Sequence, residues 1–451
     1  MSNEPIHVVG GGLVGALTAI VLARRGHRVA LYERRPDMRR ATIAAGRSIN
    51  LVLTSRGLKA LAEVGLREEA LALTIPCRGR MLHDREGNTS FVPYGQRDDE
   101  VIYSISRGDL NKMLLTTAER YENVTLHFEH RCTGYDTASK TLHMHDEATG
   151  KDLSIAAPVT IGTDGYVSVL REAVAAHAPG FSKTEDRHAY GYKELIIPAT
   201  QSGEYPIEKH ALHIWPRGDF MLMALPNLGG SFTVTLFFAH EGEQSFAKLT
   251  SEAAVKEFFT TTFPDAEKLM PNLAEVFFAN PTGAMVTVRC APWHIGGQLM
   301  LMGDAAHAIV PFYGQGMNCG FEDASALGAL LDAHGSDWAR IFPALTTERK
   351  PNADAIAALA LENFIEMRAT TADPKFQLKK QIGFALEQRY PGRFIARYAM
   401  VVFHPEIPYA EARSRGIAQD AMLDRLAANI ARVEDIDWSL AETLMGETKA
   451  A

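Results

Sequence analysis

The sequence predicts an α/β chain with three parts: a Rossmann-like dinucleotide-binding domain, a second domain on an antiparallel β-sheet, and a helical C-terminal region. Three observations predict it. The first 33 residues read as strand, glycine-rich turn, helix and strand; residues 187–288 become short strand-like runs joined by turns; and beyond Asp332 the periodicity is helical. A chain of 451 residues exceeds one comfortable core. The expected division is 1–75, 100–180 and 290–331 for the dinucleotide domain, 76–99 and 181–289 for the β-sheet domain, and 332–451 for the helical region.

Taken in order, Ile6–Val9 is a buried strand, Leu13–Arg25 a packed helix stopped by Gly26, and Arg28–Tyr32 the next strand. Between the first two lies Gly10-Gly11-Gly12-Leu13-Val14-Gly15, a G-x-G-x-x-G turn. Gly10 permits the sharp bend, Gly12 leaves room for a pyrophosphate, and Gly15 allows close packing of helix on strand. Glu33, at the tip of the second strand, is the acid expected to hold a ribose. Arg78–His83 and Thr89–Tyr94 read as a hairpin around Asp84–Asn88; centring the turn on Gly87 sets Arg80 opposite Tyr94, with Pro93 marking an edge strand. Asp109–Glu119 and Ser168–Ala175 read as helices.

His210–Trp215, Phe220–Leu225 and Phe232–Phe238 predict an antiparallel meander. The aromatic run reads as sheet core, with Trp215 and Phe238 as candidates for a pocket wall. The chain then returns through the strand Leu299–Met302, Gly303-Asp304, a glycine-bearing loop and a helix from about Asn318 to Leu331. In Gly314-Gln315-Gly316-Met317-Asn318 the free N–H groups of a helix start suit negative charge.

Composition excludes several classes. Hydrophobic residues make up 46% and charged residues 22%, as in an ordinary globular enzyme. With 46 Lys plus Arg against 54 Asp plus Glu, the net charge is −8, which argues against nucleic acid and anionic membrane as partners. Cys77, Cys132, Cys290 and Cys319 form no C-x-x-C pair, and none of the 16 histidines has convincing metal spacing, His143 and His145 included; no metal is expected. No signal peptide and no apolar run of membrane-spanning length is read, so a cytoplasmic protein without a transmembrane anchor is expected.

Gly10-x-Gly12-x-x-Gly15 with Glu33, Thr163-Asp164-Gly165 and Gly303-Asp304, in that order, resemble the flavoprotein aromatic hydroxylases, which carry FAD on a Rossmann-like domain beside a β-sheet substrate domain. Five further stretches resemble the kynurenine-hydroxylating branch of that family: Gly46–Leu51, Arg78–Met81, Pro93–Gly95, His210–Pro216 and Val310–Asn318.

The resemblance implies resident FAD, contacted by Val14, Tyr32, Glu33, Arg34, Arg35, Val52, Arg107, Cys132, Asp304, Met317 and Asn318, along with Gly10, Gly12, Gly15, Gln315 and Gly316 from the two glycine loops. Arg107 also reads as a surface arginine and Asp304 as a helix N-cap. NADPH is implied as a transient co-substrate and molecular oxygen as the oxidant, acting through a flavin C4a-hydroperoxide that requires a dry site, with Pro311-Phe312-Tyr313 as an apolar wall. The implied small-molecule substrate is L-kynurenine, hydroxylated at ring position 3 to 3-hydroxykynurenine. Its ring amine activates the ortho carbon, so no catalytic acid or base is assigned.

Arg80 offers a planar fork for a carboxylate and Tyr94 a hydroxyl donor, and the resemblance adds Tyr398. Asn363 falls within the apolar stripe Ile356, Leu359, Ala360 and Met367, where an amide needs a partner: a backbone group or, as the family implies, substrate. Glu366 follows one turn on as a weaker candidate for the substrate amine. Three alternatives stay open: another amino-substituted aromatic acid as substrate, a flavin reductase or oxidase, and a non-enzymatic binder, against which the intact glycine motifs argue.

Overall fold

A computed structural model describes residues 4–40, 50–369 and 374–450. The resemblance at Gly46–Ile49 lies outside the described residues.

The buried run Ile6–Val9 sits at the centre of a six-stranded sheet, paired in parallel with Val29–Tyr32 on one side and Thr160–Gly162 on the other. Leu299–Leu301 and Val124–His127 extend it in parallel. All four residues of Ile6–Val9 are buried, as befits a strand covered on both faces. The helix Leu13–Ala23 crosses between the first two strands, and every residue but Val14 is buried, so its sequence, apolar apart from Thr18, reflects packing on two sides.

A seven-stranded sheet follows the order Gly283–Ala291, Ser182–Ile197, Phe232–Ala239, Met221–Pro226, Ala211–Pro216, Gly79–His83, Thr89–Pro93. Its pairings are antiparallel except where Ala211–Pro216 meets Gly79–His83. One face packs on the helix Glu252–Thr262 around Trp215, Phe220, Phe238 and Phe259. Trp215 and Phe238 form sheet core, as the aromatic run reads, and as pocket-wall candidates they line neither of the two cavities described below. Side chains alternate along a strand, so Phe237 takes the cavity face instead.

The hairpin register also differs from expectation. Arg80 pairs with Val92 and His83 with Thr89, so the turn centres on Glu86, and Tyr94 donates its N–H to the Arg78 carbonyl at 3.1 Å. The Asp84 carboxylate is the cause: it accepts both the backbone N–H and the side-chain amide of Asn88, closing a five-residue loop. Arg80 and Tyr94 meet on the diagonal, with the guanidinium 5.4 Å from the ring centre. Thr89–Pro93 is an edge strand, as Pro93 requires.

Beyond the helix Gly316–His334 the chain is helical: Trp338–Ala369, Pro374–Arg389, Arg397–Val402 and Tyr409–Leu426. Among the described residues no helix is long and apolar enough to cross a membrane.

Candidate active site

Two cavities lie on either side of the short turn Pro311–Tyr313. The larger, about 290 Å³, is bounded by Gly12, Val14, Val52, Arg107, Asp304, Gly316 and Met317 among the expected FAD residues, and by Met223, Leu225, Thr235 and Phe237 from the seven-stranded sheet. The smaller, about 150 Å³, gathers Arg80, Tyr94, Asn363 and Tyr398, the four expected substrate residues, with Tyr313, Glu366 and Lys380. Phe312 fills the partition, its ring centre 4.9 Å from Phe237 and 4.0 Å from Phe364.

The glycine turn is shaped as its sequence demands. Gly10 has φ +105, and a Cβ on Gly15 would lie 1.9 Å from the Gly10 carbonyl oxygen, so neither position admits a side chain. At Gly12 a Cβ would meet nothing within 4 Å: that side is open. The helix that follows has no side-chain cap and no acid in its first turn, leaving its leading N–H groups for an anion. Glu33 closes the turn from the second strand, accepting from Gly11 N–H at 2.9 Å and pairing with Arg35 at 2.7 Å. These features fit a dinucleotide.

The other expected FAD residues divide. Tyr32 accepts from Gly10 N–H with its carbonyl at 2.8 Å, but its ring stacks on His127 and its hydroxyl meets His7. Arg34 is exposed. Cys132 is buried, and burial pushes its thiol up to about 12. Asn318 spends its side chain inside the protein: Oδ1 accepts from Thr54 N–H at 3.0 Å, and Nδ2 donates to the Val52 and Gly314 carbonyls, each at 2.8 Å. Gln315 turns away from the larger cavity, its Oε1 accepting from the Tyr409 hydroxyl at 2.8 Å. What this loop offers a ligand is the backbone N–H groups at the start of Gly316–His334. Asp304, exposed at the head of a short helix whose N-cap is Gly303, keeps its carboxylate at the cavity. Asp164 caps the helix Val169–His177, accepting from Ser168 Oγ and two backbone N–H groups.

In the smaller cavity Tyr94 and Tyr398 stack at 5.4 Å with planes 7° apart, and the Arg80 guanidinium sits 5.4 and 5.0 Å from their centres. Arg80 Nε and the Tyr94 hydroxyl are buried without a hydrogen-bond partner among the described residues. Such groups cost free energy unless a ligand satisfies them. Burial pushes the hydroxyls of both tyrosines above their ordinary pKa, so both stay protonated and are donors at neutral pH. Asn363 donates to the Phe312 carbonyl at 2.6 Å, the backbone partner the sequence allowed, while still lining the cavity. Glu366 lines it too and lies 3.4 Å from Arg397. Lys380 is a site residue that sequence reasoning missed; burial and then the Arg80 charge push its ammonium down to about 8.

His307, Cys319 and Asp323 cluster closely enough to suggest a metal site. The Arg349 guanidinium already fills the cation's place, with Nε 2.8 Å from Asp323, and His307 lies 2.6 Å from the same carboxylate. Burial opposes the charge on His307, but the Asp323 carboxylate outweighs it and keeps the ring protonated.

Comparison with known proteins agrees with this geometry. An FAD binding domain family model matches residues 4–360. The solved structure of 2-methyl-3-hydroxypyridine-5-carboxylic acid oxygenase superposes with a TM-score of 0.66 at 22% identity, over 83% of this chain and 95% of that one. The family match and the fold thus define an FAD-binding protein. Kynurenine 3-monooxygenase of Myxococcus xanthus is 50% identical over 98% of this chain and 95% of its own length, and that of Flavobacterium johnsoniae 42% identical over 97% and 96%. The chain belongs to the kynurenine 3-monooxygenase family of FAD-dependent enzymes.

Proposed function

We propose that the protein hydroxylates L-kynurenine at ring position 3, using bound FAD, NADPH and molecular oxygen. The observation that carries the substrate side is the gathering of Arg80, Tyr94 and Tyr398 on one cavity, with Arg80 Nε and the Tyr94 hydroxyl buried and without a hydrogen-bond partner among the described residues. They are the complement of a carboxylate.

The residues fit FAD, held by the Gly10–Gly15 turn, Glu33, Asp304 and the N–H groups at Gly316–Asn318. When bound, it supplies the redox chemistry that activates oxygen for transfer to the aromatic ring. The protein's part is to orient and to keep water out. Arg80, flanked by Tyr94 and Tyr398, anchors the carboxylate; Asn363 keeps its carbonyl oxygen for a substrate donor after its amide binds Phe312. Phe237, Phe312 and Phe364, in ring contact, make the wall between the two cavities apolar, which disfavours water there. Positioning of this kind contributes several kcal/mol. The ring amine of the substrate supplies the electronic activation, so no protein acid or base is assigned. In this reading residues 1–75, 100–180 and 290–331 form the FAD domain and 76–99 with 181–289 the substrate domain.

Aerobic incubation of the FAD-loaded protein with NADPH and L-kynurenine tests the proposal. Kynurenine should accelerate NADPH oxidation and yield a product heavier by one oxygen atom. NADPH oxidation without a heavier product points to a reductase or oxidase; turnover only with another amino-substituted aromatic acid reassigns the substrate. In Arg80→Ala, kynurenine binding should weaken by about 2–5 kcal/mol with FAD retained.

A further inference from the structure

Arg56 is 1% exposed, and none of the features that point to FAD or substrate includes it. All three of its guanidinium nitrogens are engaged. Nε donates to the Val401 carbonyl at 2.6 Å; Nη2 reaches the carbonyls of Met400, His404 and Ile407 at 3.1, 3.3 and 2.6 Å; and Nη1 pairs with Glu322 at 2.7 Å. The Tyr409 ring lies 3.9 Å beneath it. One side chain therefore gathers the C-terminal end of the helix Arg397–Val402 and the turn after it, and that helix carries Tyr398.

Arg56 is also tied to the FAD side. It lies in the helix Ser55–Glu63, directly after Thr54, whose N–H is held by Asn318. The preceding strand, Asn50–Leu53, presents Leu51 and Val52 to the larger cavity, and Asn318 binds the Val52 carbonyl. Tyr409, stacked on Arg56, binds Gln315 immediately before Gly316. Both margins of the larger cavity and the helix bearing Tyr398 thus meet at this guanidinium. A lysine would keep the charge but has neither the planar fork nor the reach to hold four carbonyls.

We propose that Arg56 is a positioning residue for the substrate clamp, fixing Tyr398 relative to the wall of the FAD cavity by holding the carbonyls of residues 400–407. The inference rests on the reading of Tyr398 as a substrate contact. Its effect should fall on substrate affinity, through Tyr398, and leave FAD binding nearly untouched.

A double-mutant cycle on the FAD-loaded protein tests it, with dissociation constants for kynurenine and for FAD measured by calorimetry for Arg56→Lys, Tyr398→Phe and the pair together. Arg56→Lys should weaken kynurenine about tenfold and FAD less than twofold, and the double variant should bind kynurenine no more weakly than the poorer single one. Multiplying losses, an unchanged kynurenine constant in Arg56→Lys, or equal losses for both ligands would overturn the proposal. Wild-type kynurenine binding in Tyr398→Phe would instead remove Tyr398 from the clamp and take the proposal with it. Should Arg56→Lys not be recovered folded, Glu322→Gln loosens the same guanidinium without emptying its site. That variant should weaken kynurenine about threefold, again without adding to Tyr398→Phe, and unaltered kynurenine affinity would refute the role of Arg56.

Discussion

The FAD-side cavity presents much backbone to its ligand and the clamp cavity mostly side chains. Gly12, Gly314 and Gly316 bring main chain to the surface of the first, and two helix starts point free N–H groups at it. The second is walled by Arg80 and Tyr94 from one hairpin, Asn363 from a long helix and Tyr398 from a short one, more than 300 residues apart along the chain at the extremes. Backbone recognition of a pyrophosphate needs only a turn and a helix, both local in sequence. Side-chain recognition of an amino-acid head needs long-range assembly, and that exposes it to errors of register and placement far from the site.

The comparison can be broken on the FAD side first, where the expected effect is largest. A methyl group at residue 15 would collide with the Gly10 carbonyl on one side and the Thr163 hydroxyl on the other. Gly15→Ala should purify without flavin or fail to fold. Bound FAD at wild-type stoichiometry in that variant, read from its absorbance spectrum, would show that the turn relaxes and that backbone shape is not what holds the cofactor.

On the clamp side the expected change is smaller and has two opposite signs. The Tyr94 hydroxyl is buried without a hydrogen-bond partner among the described residues, so Tyr94→Phe should leave Tm unchanged or raise it. The same variant should weaken kynurenine by about 1.5 kcal/mol, roughly tenfold, through loss of a donor to a carboxylate. A lower Tm with unchanged kynurenine affinity would recast Tyr94 as a structural residue.

How much of this was legible in the sequence follows the same division. The shape of the Gly10–Gly15 turn was readable because the motif is continuous and Gly10 and Gly15 each have one steric duty. Arg80 and Tyr94 were readable as a pair but not in register, since the Asp84 to Asn88 loop closure shifted the turn centre from Gly87 to Glu86. Phe237 and Phe238 are neighbours of equal hydrophobicity, and only the sheet's pairing decides which faces the cavity. Asn318 and Gln315 occupy motif positions, yet their side chains serve the protein's interior rather than a ligand. Arg56 carries no local signal, because its partners lie hundreds of residues away.

The smallest effect separates the two cavities by pH. Glu194 pairs across the sheet with Thr235, which lines the FAD-side cavity, and burial pushes its carboxyl up to about 7 from 4.5. The folded state therefore holds this proton more tightly than the unfolded state. Its contribution to stability is fully present below about pH 4.5 and is lost as pH rises through about 7. Glu194→Gln keeps a neutral polar group, so its Tm should nearly match wild type at pH 5 and exceed it by roughly 1–2 °C at pH 8, the shift reduced because the group is partly exposed. Kynurenine affinity should not change, since Glu194 lies on the sheet wall of the other cavity. A Tm difference that is the same at both pH values would mean that the carboxyl titrates normally and that this wall is wetter than its packing implies.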